Sequence, residues 1–209
     1  METLLGIGIF VAIIVVTVWL GFIQQRKAAA NLRAGAERIG LKFTPSAGIG
    51  KEGPRVDGKI RGREARFWSY ETGSGKHRKY WVALALSTAT QGRLLLTLQP
   101  QGFGTKVAEL FGAREIELGD ARFDAMWFVR TNEPTAGRAA LTLELREKLN
   151  AARDAGARGT FSVEKGLVTY AEEGGFHRAG TFDRLEGLAP LLEELAVAAE
   201  VSESALVQS

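Results

Sequence analysis

The chain lacks cysteine altogether and contains only two histidines among its 209 residues. The absence of cysteine excludes disulfide bonds, thiolate zinc sites, iron–sulfur clusters and cysteine nucleophiles. His77 and His177 lie far apart in the sequence, which leaves few ligands for a transition-metal site. We therefore expect no metal and no cofactor, and the sequence provides no catalytic, cofactor-binding or metal-binding residue.

Common nucleotide-binding and hydrolase motifs are also missing. The run Thr72–Lys76 ends in Ser-Gly-Lys, but it lacks both the earlier glycine and the following Ser or Thr of a phosphate-binding loop. A strand pattern follows the lysine, whereas a phosphate site needs the amides of a helix N-terminus there. We interpret this run as a hairpin turn. The sequence also contains no Gly-x-Ser-x-Gly nucleophile elbow.

Charge is absent from the twenty residues Leu4 to Ile23, in which Thr17 is the only polar side chain. As a helix this run would be about 30 Å long, which matches the hydrocarbon thickness of a bilayer. It is longer than the apolar core of a signal peptide and has no positive residue before it. The sequence therefore predicts a transmembrane anchor over residues 1–25.

The charges that flank this run predict an orientation. Only Glu2 precedes it, whereas Arg26, Lys27 and Arg33 follow it. Basic residues favour the cytoplasmic side of a membrane. We expect a single-pass protein of the bacterial inner (plasma) membrane, with the C-terminal domain in the cytoplasm. Residues 26–39 continue as a juxtamembrane helix that Gly40 ends.

The remaining sequence predicts one soluble domain over residues 40–200, followed by a frayed tail over residues 201–209. Apolar and polar residues alternate in short runs joined by tight turns, as in antiparallel strands. Apolar residues recur at helical spacing within Glu133–Ala155 and after Ala189. Strands followed by helices favour an α+β fold with two to three helices. The predicted strands are 55–60, 63–71, 78–88, 94–99, 115–118, 126–130, 160–164 and 168–172, and a short helix is predicted at Lys106–Phe111.

Positive charge is concentrated in the part of the chain next to the predicted anchor. Residues 26–80 have a net charge of +9, with 14 basic and 5 acidic residues, and residues 81–209 have a net charge of −5. This asymmetry favours contact with anionic lipid headgroups, although solvated strand faces would explain it equally well. Aromatic residues are interleaved with these cations, so nucleic-acid binding is a further, less favoured alternative. The candidate lipid contacts are Arg61, Arg63, Arg66, Lys76, Arg78 and Lys79.

Four acidic residues, Glu115, Glu117, Asp120 and Asp124, are close together in sequence. Carboxylates of this kind could serve a hydrolase or a transferase in acid–base chemistry. Their spacing does not match a calcium-binding loop, and no histidine accompanies them. Helix capping and turn formation explain both aspartates, and we expect Asp124 to accept hydrogen bonds from nearby amides.

The run Gly119-Asp120 through Phe123-Asp124 and Phe128-Val129, followed by Leu141-Thr142 and Leu145-Arg146, resembles a pattern in bacterial membrane-anchored proteins of unknown function. The resemblance implies an α+β domain behind a membrane anchor, and it implies no activity. We expect Phe123, Phe128 and Leu145 to lie in the core. The sequence as a whole predicts a non-enzymatic module that binds a protein partner or the anionic membrane surface.

Overall fold

The computed structural model describes residues 2–46, 53–90, 92–102 and 113–207, and it describes the side chains of the first helix from Val15 onward. The short helix predicted at Lys106–Phe111 lies outside these residues. The described helices are α1 (Glu2–Arg38), α2 (Ala121–Met126), α3 (Pro134–Ala140), α4 (Leu143–Asp154), α5 (Thr181–Gly187) and α6 (Ala189–Val207).

The described strands form one nine-stranded sheet, and every pairing in it is antiparallel. Its order is β1-β2-β3-β4-β9-β8-β5-β7-β6. The α+β prediction is therefore confirmed. The strands are β1 (Lys42–Thr44), β2 (Arg55–Ile60), β3 (Arg63–Thr72), β4 (Lys79–Ser87), β5 (Leu96–Pro100), β6 (Arg114–Ile116), β7 (Trp127–Thr131), β8 (Thr160–Glu164) and β9 (Leu167–Glu173).

Alternating side chains divide the sheet into a core face and an outer face. Val82, Leu84 and Leu86 on β4 belong to the apolar core, which also includes α6 residues such as Leu192 and Leu195. Successive residues of a strand point to opposite faces, so the alanines between those β4 residues lie on the outer face. The described helices thus form one layer against one side of the sheet.

The C-terminal half of α1 belongs to this core. Leu32 and Ala36 are fully buried, and Gly35 lies directly against the ring of Phe182. A Cβ atom at Gly35 would be only 2.4 Å from Cδ1 of that ring. The ring itself stacks on Phe67, with their centroids 4.4 Å apart, so it has little room to move. The absence of a side chain at Gly35 is therefore what lets α1 approach α5 this closely.

Polar contacts fix α1 further along its length. The Asn31 side-chain amide donates to the Phe176 carbonyl at 2.7 Å, and the Arg38 guanidinium lies 2.7 Å from the Asp183 carboxylate. Leu41, three residues beyond the end of α1, packs against Gly58 of β2. These contacts act at both ends of the buried stretch and hold α1 at one angle to the domain.

The predicted transmembrane helix is wrong. No helix within the described part of the chain is long and apolar enough to cross a membrane. The helix α1 continues without a break from the apolar run that ends at Ile23 through Arg38.

The helical layer also differs from the sequence-based prediction. The described residues after α1 form five helices, where two to three were predicted. The single helix predicted for Glu133–Ala155 is divided into α3 and α4, because Thr142 leaves the helical conformation and caps α4 by accepting from the Leu145 amide. At the C-terminus, α6 continues through Val207 with Ser202 buried, whereas a frayed tail was predicted from residue 201.

Candidate functional site

An exposed apolar stretch of α1 is the most conspicuous surface in the described residues. It extends from Val15 to Phe22, and we call it the apolar segment. Val18 is 68% exposed and Trp19 is 61% exposed. Single apolar side chains are common on surfaces, but a contiguous exposed run marks a contact with a partner or a membrane. At the C-terminal end of the segment, the Arg26 guanidinium lies over the Phe22 ring, 4.5 Å from its centroid.

A wide open cleft of about 2220 Å³ lies beside the apolar segment. Its walls include α1 between Gly21 and Ala29, the loop between β9 and α5, and the sheet from Glu64 and Leu167 to Tyr70 and Tyr80. The Gly174 amide donates to the Tyr80 carbonyl at 2.9 Å and joins the last two of these walls. The Asn31 side-chain amide of α1 donates to the Phe176 carbonyl of the same loop, so α1 lies next to the hairpin end of the sheet.

The six predicted lipid contacts do not lie on one surface. Arg61 and Arg63 are at the start of β3, whereas Lys76 and Arg78 are beyond its other end, about 30 Å away along a ten-residue strand. Five of the six form ion pairs with carboxylates in the described structure, and Lys76 does not. The pairs are Arg61–Glu193, Arg63–Glu200, Arg66–Asp57, Arg78–Glu71 and Lys79–Glu173.

Arg63 belongs to a half-buried network at the end of the sheet opposite the β3–β4 hairpin tip, which we call the far end. Two nitrogens of its guanidinium donate to the two Glu200 carboxylate oxygens at 2.6 and 3.0 Å. Glu200 also accepts from the Thr88 hydroxyl at 2.9 Å and the Ala89 amide at 2.7 Å. The Arg63 guanidinium, followed by that amide and hydroxyl, lowers the pKa of Glu200 to about 2, although its burial opposes this. The network fastens α6 to β3 and to the chain after β4.

A second network surrounds Tyr170 on β9. Its hydroxyl accepts from the amides of Arg158 and Gly159 at 3.0 and 2.9 Å and donates to Glu172 at 2.7 Å. Glu172 is almost fully buried and pairs with Arg184 on α5. Burial, and next the negative charge of Glu172, raise the pKa of Tyr170. Each polar group of this cluster has a structural partner, so its arrangement serves to connect β8, β9 and α5.

His177 lies on the loop that lines the cleft. Partial burial, then the positive charges of Arg178 and Lys27, lower its pKa. The lowered pKa favours the neutral imidazole, and the Asn31–Phe176 hydrogen bond places α1 beside this loop. Within the described ranges, no group of His, Asp and Glu side chains is arranged to hold a metal ion.

The acidic loop before α2 is built around Asp124. Its carboxylate accepts from the amides of Leu118, Gly119 and Asp120 at 3.0 to 3.1 Å, which confirms the predicted bonding to local amides. Asp120 in turn accepts from the Phe123 amide and pairs with Arg146 at 2.9 Å. Both aspartates are occupied in shaping the loop, which gives the hydrolase or transferase alternative no support from this cluster.

Asp124 is expected to be structural, and two substitutions measure this. Asp124→Ala removes three charge-assisted hydrogen bonds and should lower the free energy of unfolding by about 2 kcal/mol, because the freed amides are partly hydrated. Asp124→Asn retains one acceptor oxygen and should cost about half as much. Chemical denaturation of the two variants checks the order. Equal stability of both variants with the wild type would contradict the structural role.

Aromatic residues of the β3–β4 hairpin pack against one another. The Tyr70 ring lies between Trp68 and Trp81, with centroid distances of 6.4 and 6.3 Å and nearly parallel planes towards Trp81. Neighbouring aromatic residues on one face of a sheet pack in this way for structural reasons, so these rings require no nucleic-acid ligand to explain them. Of the pattern residues, Phe123 and Leu145 are buried as predicted, whereas Phe128 is only half-buried.

No protein-family model matches the sequence, and no curated protein matches it either. Among solved structures, the chain is similar to TtfA, the mycobacterial trehalose monomycolate transport factor A. The two are 12% identical with a TM-score of 0.61, over 84% of this chain and 96% of TtfA. At this identity the likeness establishes the shared fold alone.

The buried networks could not be found by reading the sequence. Arg63 and Glu200 are separated by 137 positions, and Tyr170 binds two amides of the connection between α4 and β8, for which the sequence predicted no contact. The long α6 offered one signal, because Glu203 continues the helical spacing of the apolar residues Leu192, Ala196 and Ala199. A charged residue on an apolar helix face indicates a buried partner.

Proposed function

We propose that the protein is a non-enzymatic module that associates with the membrane through the apolar segment of α1. The observation that carries the proposal is the contiguous exposure of Val15 to Phe22 on a helix whose other half is packed into the domain. Apolar side chains on a helix partition into the headgroup–acyl boundary of a bilayer in proportion to the area they bury there. The cations Arg26 and Lys27, directly after the segment, favour the anionic cytoplasmic face of the bacterial inner membrane.

The polar clusters support a binding role over a catalytic one. Asp124, Glu172 and Glu200 each accept several hydrogen bonds from the chain itself, so their charges serve the fold. The shared fold with a transport factor also agrees with a non-enzymatic, accessory role. The partner in such a role would be a membrane surface or a protein at that surface.

Paired substitutions on two helices test membrane association. Val15→Glu with Val18→Glu should lower partition of the full-length chain to liposomes about a hundred-fold, because burial of two valine side chains contributes roughly 3 kcal/mol. Val197→Glu with Val201→Glu is the matched control, since Val201 is 66% exposed on α6 away from the segment. Flotation with liposomes measures both. Wild-type partition by the Val15/Val18 variant would refute the proposal.

A further inference from the structure

The packing of the C-terminal half of α1 into the domain determines which end of the domain lies next to the apolar segment. Gly35 against Phe182 and Asn31 bonded to the Phe176 carbonyl leave α1 no hinge within its buried stretch. Towards its N-terminus the helix then passes the cleft formed with the hairpin and the β9–α5 loop. A surface that receives the apolar segment therefore lies next to this end of the domain.

This end carries four exposed cations, Lys27, Lys76, Arg158 and Arg178, and we call it the basic end. Lys27 is on α1, Lys76 is on the 3-10 turn at the hairpin tip, and the other two residues line the cleft. None of the four side chains forms an ion pair with a carboxylate in the described structure. The far end differs, since its cations Arg61 and Arg63 are paired with acidic residues of α6.

We propose that the basic end docks on an anionic lipid surface while the apolar segment enters the same surface. This inference rests on the proposed membrane association. It adds which end of the domain contacts the membrane and that the contacted lipid is anionic. Unpaired cations next to an apolar helix are complementary to acidic headgroups above an acyl layer. The set differs from the one predicted from sequence, in which only Lys76 is free of a carboxylate partner. Arg66, for example, lies 2.7 Å from Asp57.

The first test compares charge reversals in the full-length chain. Lys76→Glu, Arg158→Glu and Arg178→Glu together should remove the preference for phosphatidylglycerol-containing vesicles over phosphatidylcholine vesicles, a loss of about a hundred-fold or more at low salt. Lys42→Glu, Arg93→Glu and Arg114→Glu change the net charge equally at exposed sites away from the basic end and should keep the preference. Retention of the preference by the first triple variant overturns the inference.

The two vesicle types separate this inference from the proposed function. Binding to phosphatidylcholine reports the apolar segment, whereas the added affinity for phosphatidylglycerol reports the basic end and should fall with salt. Wild-type binding that is equal on both vesicles overturns the basic end and leaves membrane association intact. Wild-type binding to neither vesicle overturns both.

Orientation provides an independent readout, because the chain has no native cysteine. A fluorophore on Ser74→Cys marks the hairpin tip, and one on Ser204→Cys marks the far end near the Glu200 network. Lipids with a spin-labelled headgroup should quench the first fluorophore strongly and the second weakly, since the ends are about 30 Å apart along β3. Equal quenching at the two positions overturns the docking geometry.

Discussion

Glu200→Ala should lower the free energy of unfolding by about 3–4 kcal/mol, because it leaves the half-buried Arg63 guanidinium without its carboxylate. The Thr88 hydroxyl and the Ala89 amide lose their acceptor in the same step. Urea denaturation at neutral pH measures the change. Glu147→Ala provides the control, because Glu147 is exposed on α4 and should change stability by less than about 0.5 kcal/mol.

The contribution of Glu200 should also depend on pH. Its pKa is about 2 in the folded protein and 4.5 as the ordinary value, so the unfolded chain binds the proton more readily. The stabilisation is therefore complete above about pH 5 and is lost as the pH falls from about 4.5 towards 2. The stability gap between wild type and Glu200→Gln should narrow over that interval. A gap that stays constant across it would show that Glu200 is not the titrating group.

Tyr170→Phe is expected to lower the free energy of unfolding by about 2–3 kcal/mol without creating a cavity. The ring remains in the core, but the amides of Arg158 and Gly159 lose their acceptor and Glu172 loses a donor. Tyr70→Phe is the matched control, because that ring lies on the outer face and its hydroxyl makes no described hydrogen bond. Thermal or urea unfolding of both variants provides the comparison, and equal effects would contradict the network.

Local patterns predicted most of the sheet. The turn at Lys165-Gly166 was expected between two alternating runs, and both residues have the positive φ angles that a two-residue hairpin requires. The two runs that flank this turn, predicted as 160–164 and 168–172, are the strands β8 and β9. Such features depend on neighbours within a few residues, so the sequence alone contains the information.

Features that depend on distant contacts were missed or misjudged. The helix α5 is short, lies between glycine-rich turns and is held by burial of Phe182 against Phe67, which no local pattern reveals. The break between α3 and α4 depends on one capping residue, Thr142. The apolar residues around it recur at helical spacing, so the sequence pattern does not reveal the break. The ion pairs of the predicted lipid contacts could not be predicted without the strand order. Their carboxylate partners come from β2, β9 and α6 as well as from β3 itself.

The strand order has a consequence for the synthesis of the protein. The middle strand of the described sheet is β9, which is completed only at Glu173, although its neighbour β4 ends at Ser87. A nascent chain thus carries an unpaired edge at β4 for ~80 residues of translation, or roughly 4–16 s at bacterial and eukaryotic rates. Open edges of this kind recruit other chains. A high level of expression raises the concentration of these incomplete chains and should therefore reduce the yield of native protein, even though the finished fold has this strand fully enclosed.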